Sequence, residues 1–481
     1  MCKQNLRRAS FSVLVFFSFI LNSTTASCQN SISKEFKAGA ASVSITPNDN
    51  SKLLAGRKIH DTLYAKSLIL DDGAQKMVFV IADNQGIPAF VCDITRDKIH
   101  ELTNIPVSNI LISATHTHTG ITANPAPINL NKDGSLTEYQ EIISTKIVES
   151  VLKAMDNLEP ARIGWSNFEK PEYVFNRRWY VKSSAKNPFG LNDSVKMNPG
   201  FASTDLLQPA GPTDPEISFF AVESIDGSPI AVLANYSIHY IGGAAPRTIS
   251  ADYYGEFGNQ LAGILETNDN SNPFVGIMTN GTSGDVSHND YRKQKPKQQP
   301  FEEIRAVAKD LAETVASHYR KMEFHDWVPL KIHQSDIKLS FRRPTEEVST
   351  SIQKITQQRS AANIKSETEP QAYARRVNDL VTRYPANTTF PIQTFLIGDL
   401  AIASIPFEVF AETGLELKSR SPFKNTFTIG LANGHWGYLP TPSQHKKGGY
   451  ETWISVSRVQ EDASQIIVEQ ALKQLDDLKN Q

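Results

Sequence analysis

Apolar runs rich in β-branched residues recur along this chain, and several of them end in side chains that can carry out chemistry. Lys76–Asp83, Asn109–Ser113, Pro229–His239 and Pro273–Met278 are such runs, each bounded by polar segments. This pattern is typical of buried strands. The alternation of these strands with helical patterns predicts an α/β fold, with a layered mixed sheet flanked by helices. The helical patterns lie near 95–102, 138–155, 254–266, 302–319 and 463–475.

The predicted helix near 138–155 has both a start signal and an apolar stripe. Ser135 and Glu138 have the S-x-x-E spacing of a capping box, and Ile143, Ile147 and Val151 recur at helical spacing. We therefore expect Ser135 to cap this helix.

A polar, charged stretch at about 342–387 interrupts the apolar pattern. Apolar character returns at Phe395–Pro406, which predicts a hairpin turning at Gly398 and Asp399. The polar stretch is either a helical excursion on the surface or a domain boundary. Because candidate site residues fall on both sides of it, we expect a single large catalytic domain, 34–481, with a polar helical insertion.

The first 28 residues are typical of a secretory signal peptide. Lys3, Arg7 and Arg8 precede the apolar run Phe11–Leu21, which is too short to span a bilayer. No later run has the length and apolarity of a transmembrane helix. We expect an exported bacterial protein that is periplasmic, extracellular or anchored at the cell surface through a lipid on Cys28.

Charge and cysteine content narrow the function classes further. The 49 basic and 51 acidic residues give a net charge of −2, which argues against a nucleic-acid binder acting through bulk charge. With 40% hydrophobic residues the chain can bury a large core without a disulfide framework. Cys92 is then a small buried side chain rather than a nucleophile.

His116 and His118 follow a predicted strand in ISATHTHTG. In an extended strand, residues two apart share one face, so we expect both imidazoles to point the same way. Two such nitrogen donors suit a metal ion or a paired acid and base. A histidine pair that caps a loop without a metal remains the alternative.

His239 and Glu408 end two other apolar runs, in LANYSIHY and IASIPFEVF. A buried carboxylate is costly unless it is paired or binds a cation, so Glu408 among apolar neighbours suggests a metal ligand. Two histidines and one carboxylate form a set that catalytic zinc uses. A hydrogen-bonded core histidine is the alternative for His239.

The segment Thr279–Ser287 (TNGTSGDVS) follows another predicted strand and is rich in glycine and hydroxyl residues. Such a loop either presents N–H groups to an anion or oxyanion, or is an ordinary tight turn. The chain has no G-x-S-x-G elbow and no Walker pattern, which argues against a serine hydrolase and an NTPase.

Nine strings, in order, resemble the neutral (non-lysosomal) ceramidase family. The resemblance runs from about residue 36 to the C-terminus. The strings are AGAASVSITP, IHDTLYAKSLILDDG, ILISATHTHTG, VFNRRW, NYSIH, ISADYYGEF, TNGTSGDVSHND, IPFEVFAETG and GYLPT with GGYE.

The resemblance implies a zinc-dependent amidase that cleaves an N-acyl sphingolipid. It implies that His118 accepts and returns the proton, and that Tyr450 and Arg177 donate to the developing oxyanion. It makes Ser287 a substrate-binding residue, together with Arg177 and Tyr450. The zinc ligands that it implies are His116, His239, Glu408 and Tyr438.

Departures from the family pattern keep the substrate open. HTHTG lacks the following P-G-G, and NRRW and AGPTDPE resemble a shorter bacterial branch without the C-terminal immunoglobulin-like domain. A ceramide or related N-acyl lipid, with peripheral membrane contact, is the first expectation. A zinc hydrolase or lyase acting on a carbohydrate or a polar amide or ester is the second, and a dimetal or calcium site is a variant of either. A catalytically inactive binding protein is the third.

Overall fold

Two β-sheets packed face to face place the candidate site residues. The computed structural model describes Met1 and residues 35–48, 50–123, 135–267, 273–362 and 368–481, so the predicted signal peptide and Cys28 lie outside the described residues that form the fold. The strands in the described part are β1 (Lys37–Ser44), β2 (Lys58–Ile59), β3 (Tyr64–Asp71), β4 (Lys76–Ala82), β5 (Ile110–Ala114), β6 (Glu159–Glu169), β7 (Phe175–Asn176), β8 (Arg178–Lys186), β9 (Asn192–Met197), β10 (Leu206–Pro209), β11 (Glu216–Ser224), β12 (Pro229–Tyr236), β13 (Thr248–Ile249), β14 (Val275–Asn280), β15 (Val286–Ser287), β16 (Leu330–Ser340), β17 (Asn387–Ile397), β18 (Leu400–Ser404), β19 (Glu408–Val409), β20 (Asn425–Ile429) and β21 (Tyr438–Leu439).

Helices cover the outer faces of both sheets. Short 3-10 turns add Lys52–Leu54, Val107–Asn109, Pro171–Tyr173 and Tyr450–Thr452. The α-helices of the described residues are α1 (Ala89–Thr103), α2 (Glu138–Asp156), α3 (Asp252–Ile264), α4 (Glu302–Tyr319), α5 (Glu346–Ala362), α6 (Glu369–Arg383), α7 (Ala411–Arg420), α8 (Pro442–His445) and α9 (Ala463–Asn480).

The larger sheet has eight strands in the order β14-β12-β11-β6-β1-β3-β4-β5, and the smaller has four in the order β16-β17-β18-β20. Most neighbours in both sheets are antiparallel. The parallel pairs are β4 with β5, β12 with β14, and β18 with β20. The layered mixed sheet predicted from the sequence is therefore confirmed, but the core contains two large sheets rather than one, and the described residues add four smaller sheets of two or three strands.

Alternating side chains on the strands build the layers. Phe79 and Phe220 of the larger sheet and Phe395 of the smaller one belong to the core between the sheets, with the Phe79 and Phe395 rings 5.2 Å apart. The opposite face of the larger sheet packs against α1 and α2 at one end and against α3 and α4 at the other. Helices α6 and α9 cover the outer face of the smaller sheet. The result is a four-layer α/β/β/α sandwich.

Each parallel pair sends its carboxyl ends toward one side of the molecule. In parallel α/β sheets, ligands bind beyond these carboxyl ends, where the following loops meet. His116 and His239 lie in the loops after β5 and β12. Glu408 and Tyr438 begin the short strands β19 and β21, in the segments that follow β18 and β20.

Two local predictions have clear outcomes. Helix α2 is capped by Thr137, whose side chain accepts from the Gln140 backbone while the Gln140 amide accepts from the Thr137 N–H. The prediction that Ser135 and Glu138 form this capping box is therefore wrong. The chain is still extended at Thr137, and Glu138 is already the first helical residue.

The polar stretch at 342–387 contains helices α5 and α6, which connect the adjacent antiparallel strands β16 and β17. Both helices therefore lie within a single connection between two paired strands of the smaller sheet. In the part of the chain that the structure describes, no helix combines the length and apolarity needed to cross a membrane.

Helix α3 approaches the sheet so closely that glycine is required at the contact. A Cβ on Gly258 would lie 2.5 Å from the Gly276 carbonyl oxygen of β14. We expect Gly258→Ala to lower the free energy of unfolding by about 1–3 kcal/mol, because the helix must move away from the sheet. Gly263→Ala in the same helix meets no atom within 4 Å and is the matched control. It should be neutral or stabilising by about 0.5–1 kcal/mol. Urea unfolding measures the stability of both variants. Equal stability would mean that the close approach of α3 to β14 does not require glycine at 258.

Candidate active site

His116 is held by main-chain carbonyls of the loop after β4. Its N–H donates to Asn84 O at 2.8 Å, and its Nδ1 lies 2.5 Å from Gln85 O. An Nδ1–H that donates to a carbonyl leaves Nε2 as a bare lone pair. Nε2 of His116 is therefore an acceptor directed into the site.

The imidazoles of His116 and His118 do come together, as the H-x-H spacing predicts, but not because the two residues share a strand face. His116 has a left-handed backbone, with φ of 73°, and lies beyond the end of β5. It does not share a strand face with His118. The turn nevertheless brings the two Nε2 atoms to 3.2 Å, with the rings edge to face. Left-handed backbone in a non-glycine residue is costly and tends to occur at functional sites.

His239 approaches from the loop after β12 and is almost fully buried. Its Nδ1 lies 3.1 Å from Ser283 O, so its Nε2 is also the bare nitrogen. The Nε2 atoms of His239 and His116 are 3.0 Å apart. Burial, with Arg177 next, holds the pKa of His239 well below its usual range, so the ring is neutral at pH 7.

Glu408 adds a carboxylate to these nitrogens. The parallel pairing of β19 with β21 places it beside Tyr438. Its Oε2 lies 3.2 Å from His116 Nε2 and 3.7 Å from His239 Nε2. Burial raises the pKa of Glu408, but the neighbouring imidazoles, with His435 Nε2 donating to Oε1, outweigh burial and hold the pKa well below its usual range. Glu408 is therefore an anion inside the protein.

These donor atoms fit a metal ion. Oε2 of Glu408 is buried without a hydrogen-bond donor, and it faces two nitrogens whose protons are on the other side of their rings. Lone pairs that face one another at 3.0–3.7 Å repel unless a cation lies among them. The nitrogens of His116, His118 and His239 all lie within 4.8 Å of one another. The histidine cluster is thus positioned to bind a metal ion, with Glu408 beside it.

His118 is the accessible member of the cluster. It keeps a solvent-exposed edge, although protein surrounds much of its ring, which stacks on Tyr240 with centroids 4.2 Å apart. Desolvation, followed by the neighbouring His116, lowers the pKa of His118 to about 3. The ring is therefore neutral at pH 7, and it lies at the mouth of the cluster.

Arg177 is less free than the sequence suggests. Its Nη2 donates to Tyr438 Oη at 3.1 Å and to Gly284 O at 2.7 Å, and its Nε donates to Glu451 Oε1 at 3.0 Å. Arg178 Nη1 donates to the other oxygen of Glu451 at 2.7 Å. The buried Arg177–Glu451–Arg178 triad therefore fixes the Tyr438 hydroxyl.

The loop Thr279–Ser287 presents carbonyl groups rather than N–H groups. The N–H groups of Gly281, Thr282 and Gly284 donate to Tyr236 O, Ser237 Oγ and Val409 O. These three N–H groups are therefore not available to an oxyanion, which favours the alternative of an ordinary tight turn for this part of the loop. The carbonyls of Ser283 and Gly284 accept instead from His239 and Arg177.

Tyr450 and Ser287 lie around this centre. The Tyr450 ring is 5.8 Å from the Tyr438 ring, and Ser287 pairs with Phe175 in the short β15–β7 ladder beside Arg177. Aromatic contacts continue outward from Tyr450 to Trp453, at 5.5 Å. These contacts then reach helix α6 of the polar insertion, where the Tyr373 ring lies 5.2 Å from the Trp453 ring.

Sequence reasoning missed two residues of this site. His435 donates from Nε2 to Glu408 Oε1 at 2.9 Å, and Glu451 joins the two arginines. Both stand next to predicted residues, His435 three before Tyr438 and Glu451 directly after Tyr450. That proximity was the available signal, but it says nothing about which atoms meet.

Residues 51–307, more than half of the chain, match the model of the neutral/alkaline non-lysosomal ceramidase N-terminal domain. The chain belongs to this family. All three clustered histidines fall within the matched segment.

Solved structures agree at the level of the fold. The chain is similar to neutral ceramidase from Pseudomonas aeruginosa with a TM-score of 0.66 and 16% identity, over 93% of this chain and 75% of the other. A ceramidase complexed with C2 gives a TM-score of 0.68 and 16% identity, over 93% of this chain and 76% of the other. The family fold therefore extends beyond residue 307 to the segment that carries Glu408 and Tyr438.

The division of roles between the two histidines of HTH can be tested by metal content. We expect His116→Ala to lose bound metal and activity together, because its Nε2 contacts both His239 and Glu408. We expect His118→Ala to keep the metal and lose turnover, since His116, His239 and Glu408 remain in place. Elemental analysis of the purified variants measures this. Loss of the metal from the His118 variant would make His118 a ligand.

The buried triad predicts a large stability effect. Glu451→Gln leaves Arg177 and Arg178 without a buried counter-charge, which should cost about 3–5 kcal/mol of unfolding free energy. Glu461→Gln is the control, because Glu461 pairs with Arg342 while 58% exposed, and it should cost about 0–1 kcal/mol. Denaturant titrations of the two variants are compared. Equal, small effects would mean that the triad contributes nothing to stability.

Proposed function

We propose that this protein is a zinc-dependent amidohydrolase that releases the fatty acid from an N-acyl sphingolipid of the ceramide class. The observation that carries the proposal is the meeting of His116 Nε2, His239 Nε2 and Glu408 Oε2 at 3.0–3.7 Å, with Oε2 lacking any hydrogen-bond donor. Membership of the ceramidase family supports the bond and the substrate class. We also propose export, on the signal-like segment at 1–28.

Two imidazoles and one carboxylate would hold the ion, and Tyr438 would complete the set. When bound, zinc supplies a Lewis acid that polarises a carbonyl and lowers the pKa of a coordinated water toward about 7. Nitrogen and carboxylate donors with an open position are the set of catalytic zinc sites. Arg177 Nη2, which donates to the Tyr438 hydroxyl at 3.1 Å, would hold that hydroxyl in place.

The surrounding residues would manage protons and charge. His118 Nε2 would take the proton of the attacking water and return it to the leaving amine, because it lies at the exposed edge of the cluster, 3.2 Å from His116 Nε2. Tyr450 would donate a hydrogen bond from its hydroxyl to the carbonyl oxygen as that oxygen becomes negative. Ser287, beside Arg177, would contact the substrate.

A polar N-acyl compound or a carbohydrate is the second candidate substrate. It is favoured by the aromatic contacts that run from Tyr450 through Trp453 to Tyr373 of α6. The Arg376 guanidinium lies 4.9 Å from the centre of the Tyr373 ring. Aromatic faces beside a cation suit a polar ring or headgroup as well as a lipid chain.

The assay compares fluorescent short-chain ceramide with an N-acyl amino sugar. We expect ceramide cleavage, loss of activity after chelation, and recovery on adding zinc. Tyr450→Phe should lower kcat by about 10²–10³-fold without loss of metal, because one oxyanion donor is missing. Cleavage of the amino sugar alone would make the lipid assignment wrong and leave the metal hydrolase intact. Full activity in the presence of chelator would make the metal mechanism wrong.

A further inference from the structure

One oxygen of Glu408 faces the candidate metal ligands, and the other is held by a histidine outside the predicted set. His435 donates from Nε2 to Glu408 Oε1 at 2.9 Å, and its ring lies edge to face with the His116 ring at 5.9 Å. We propose that His435 is a positioning residue that orients Glu408 so that Oε2 is presented to the metal ion. The inference rests on the metal centre of the proposed function but not on its substrate.

The geometry divides the carboxylate into two sides. Oε1 accepts from His435, while Oε2 lies 3.2 Å from His116 Nε2 and receives no hydrogen bond. A carboxyl group is planar, so fixing Oε1 on one side fixes the direction of Oε2. Groups that hold a metal ligand by its second atom typically change metal affinity by about 10–100-fold when removed.

The chain makes room for this ring with a glycine. A Cβ on residue 86 would overlap Nδ1 and Cγ of His435. The Gly86 N–H donates to the Asn84 side-chain oxygen at 3.1 Å, which closes the turn at this point. His435 is therefore confined between Gly86 and Glu408.

The same turn positions His116. Asn84 O accepts from the His116 N–H, and Gln85 O accepts from its Nδ1. Three consecutive residues after β4 thus support both an imidazole ligand and the group that orients the carboxylate ligand. This arrangement favours a role in metal binding over simple packing of His435.

The test measures zinc affinity by competition with a chromophoric chelator, which needs no substrate. We expect His435→Leu to bind zinc about 10–100-fold more weakly than the wild type. His435→Gln is the matched control, because its amide nitrogen reaches the position of Nε2 and still donates. Its affinity should stay within about threefold of the wild type, well inside the loss expected when the donor is absent.

Gly86→Ala provides a second route to the same question. It changes no ligand and no hydrogen-bonding side chain, but it displaces the His435 ring, so zinc affinity should fall in the same direction. Thermal unfolding of the metal-free proteins controls for the fold, and all variants should unfold within a few degrees of the wild type.

The outcomes separate this inference from the metal centre itself. Equal zinc affinity in wild type and His435→Leu would overturn the role of His435 alone. Two zinc ions in the wild type and one in the variant would also overturn it, by making His435 a ligand of a second ion. A wild-type protein that binds no zinc would overturn the metal centre and this role together.

Discussion

Lone pairs without protons, facing one another inside the protein, are the constraint around which the site is organised. Nε2 of His116, Nε2 of His239 and Oε2 of Glu408 meet at 3.0–3.7 Å. Each is directed inward because the other polar atom of the same side chain is already bonded. Nδ1 of His116 bonds to Gln85 O, Nδ1 of His239 bonds to Ser283 O, and Oε1 of Glu408 accepts from His435 Nε2. Such an arrangement is unfavourable by itself and becomes favourable around a cation. The protein therefore maintains in its folded state a site that a metal ion would stabilise.

The fold brings these atoms together beyond the carboxyl ends of its parallel strands. Antiparallel neighbours fill most of both sheets, yet the three parallel pairs deliver the loops that carry the ligands. The larger sheet supplies the histidines through the loops after β5 and β12, and the smaller sheet supplies Glu408 through the loop after β18. Packing of the two sheets through Phe79 and Phe395 brings these loops together. The site is therefore built across the two sheets, and neither sheet contains it alone.

Buried charge supports the site from the outside. Glu451 is fully buried between Arg177 and Arg178. Arg177, held in this way, donates to the Tyr438 hydroxyl and fixes its position. A triad of this kind is costly to desolvate and adds little net stability compared with apolar residues. Its value lies in fixing direction, since Arg177 is held by Glu451, Gly284 and Tyr438 at the same time. The Gly284 carbonyl also accepts from Arg177 Nη2, at 2.7 Å, and helps to fix the guanidinium.

Sequence patterns predicted the buried strands, most helices and the identity of the clustered histidines, because hydrophobic periodicity and strand-end position are local properties. They also indicated Glu408, since a carboxylate among apolar neighbours has few alternatives. The sequence patterns failed to predict local geometry wherever a single backbone dihedral or one side-chain atom determines which groups meet. The left-handed turn at His116, the cap at Thr137 and the carbonyl-presenting loop after β14 are of this kind.

What the sequence by itself determined is the α/β class, the family and a short list of reactive side chains, all encoded within segments of about ten residues. Only the tertiary structure decided that two large sheets pack to form the core, that His435 holds Glu408 and that Glu451 joins two arginines. The partners in these contacts lie 27 and about 270 residues apart along the chain, and their meeting depends on how the sheets stack. Local pattern carries no information about such distant pairs, because burial energy, not sequence spacing, brings them together.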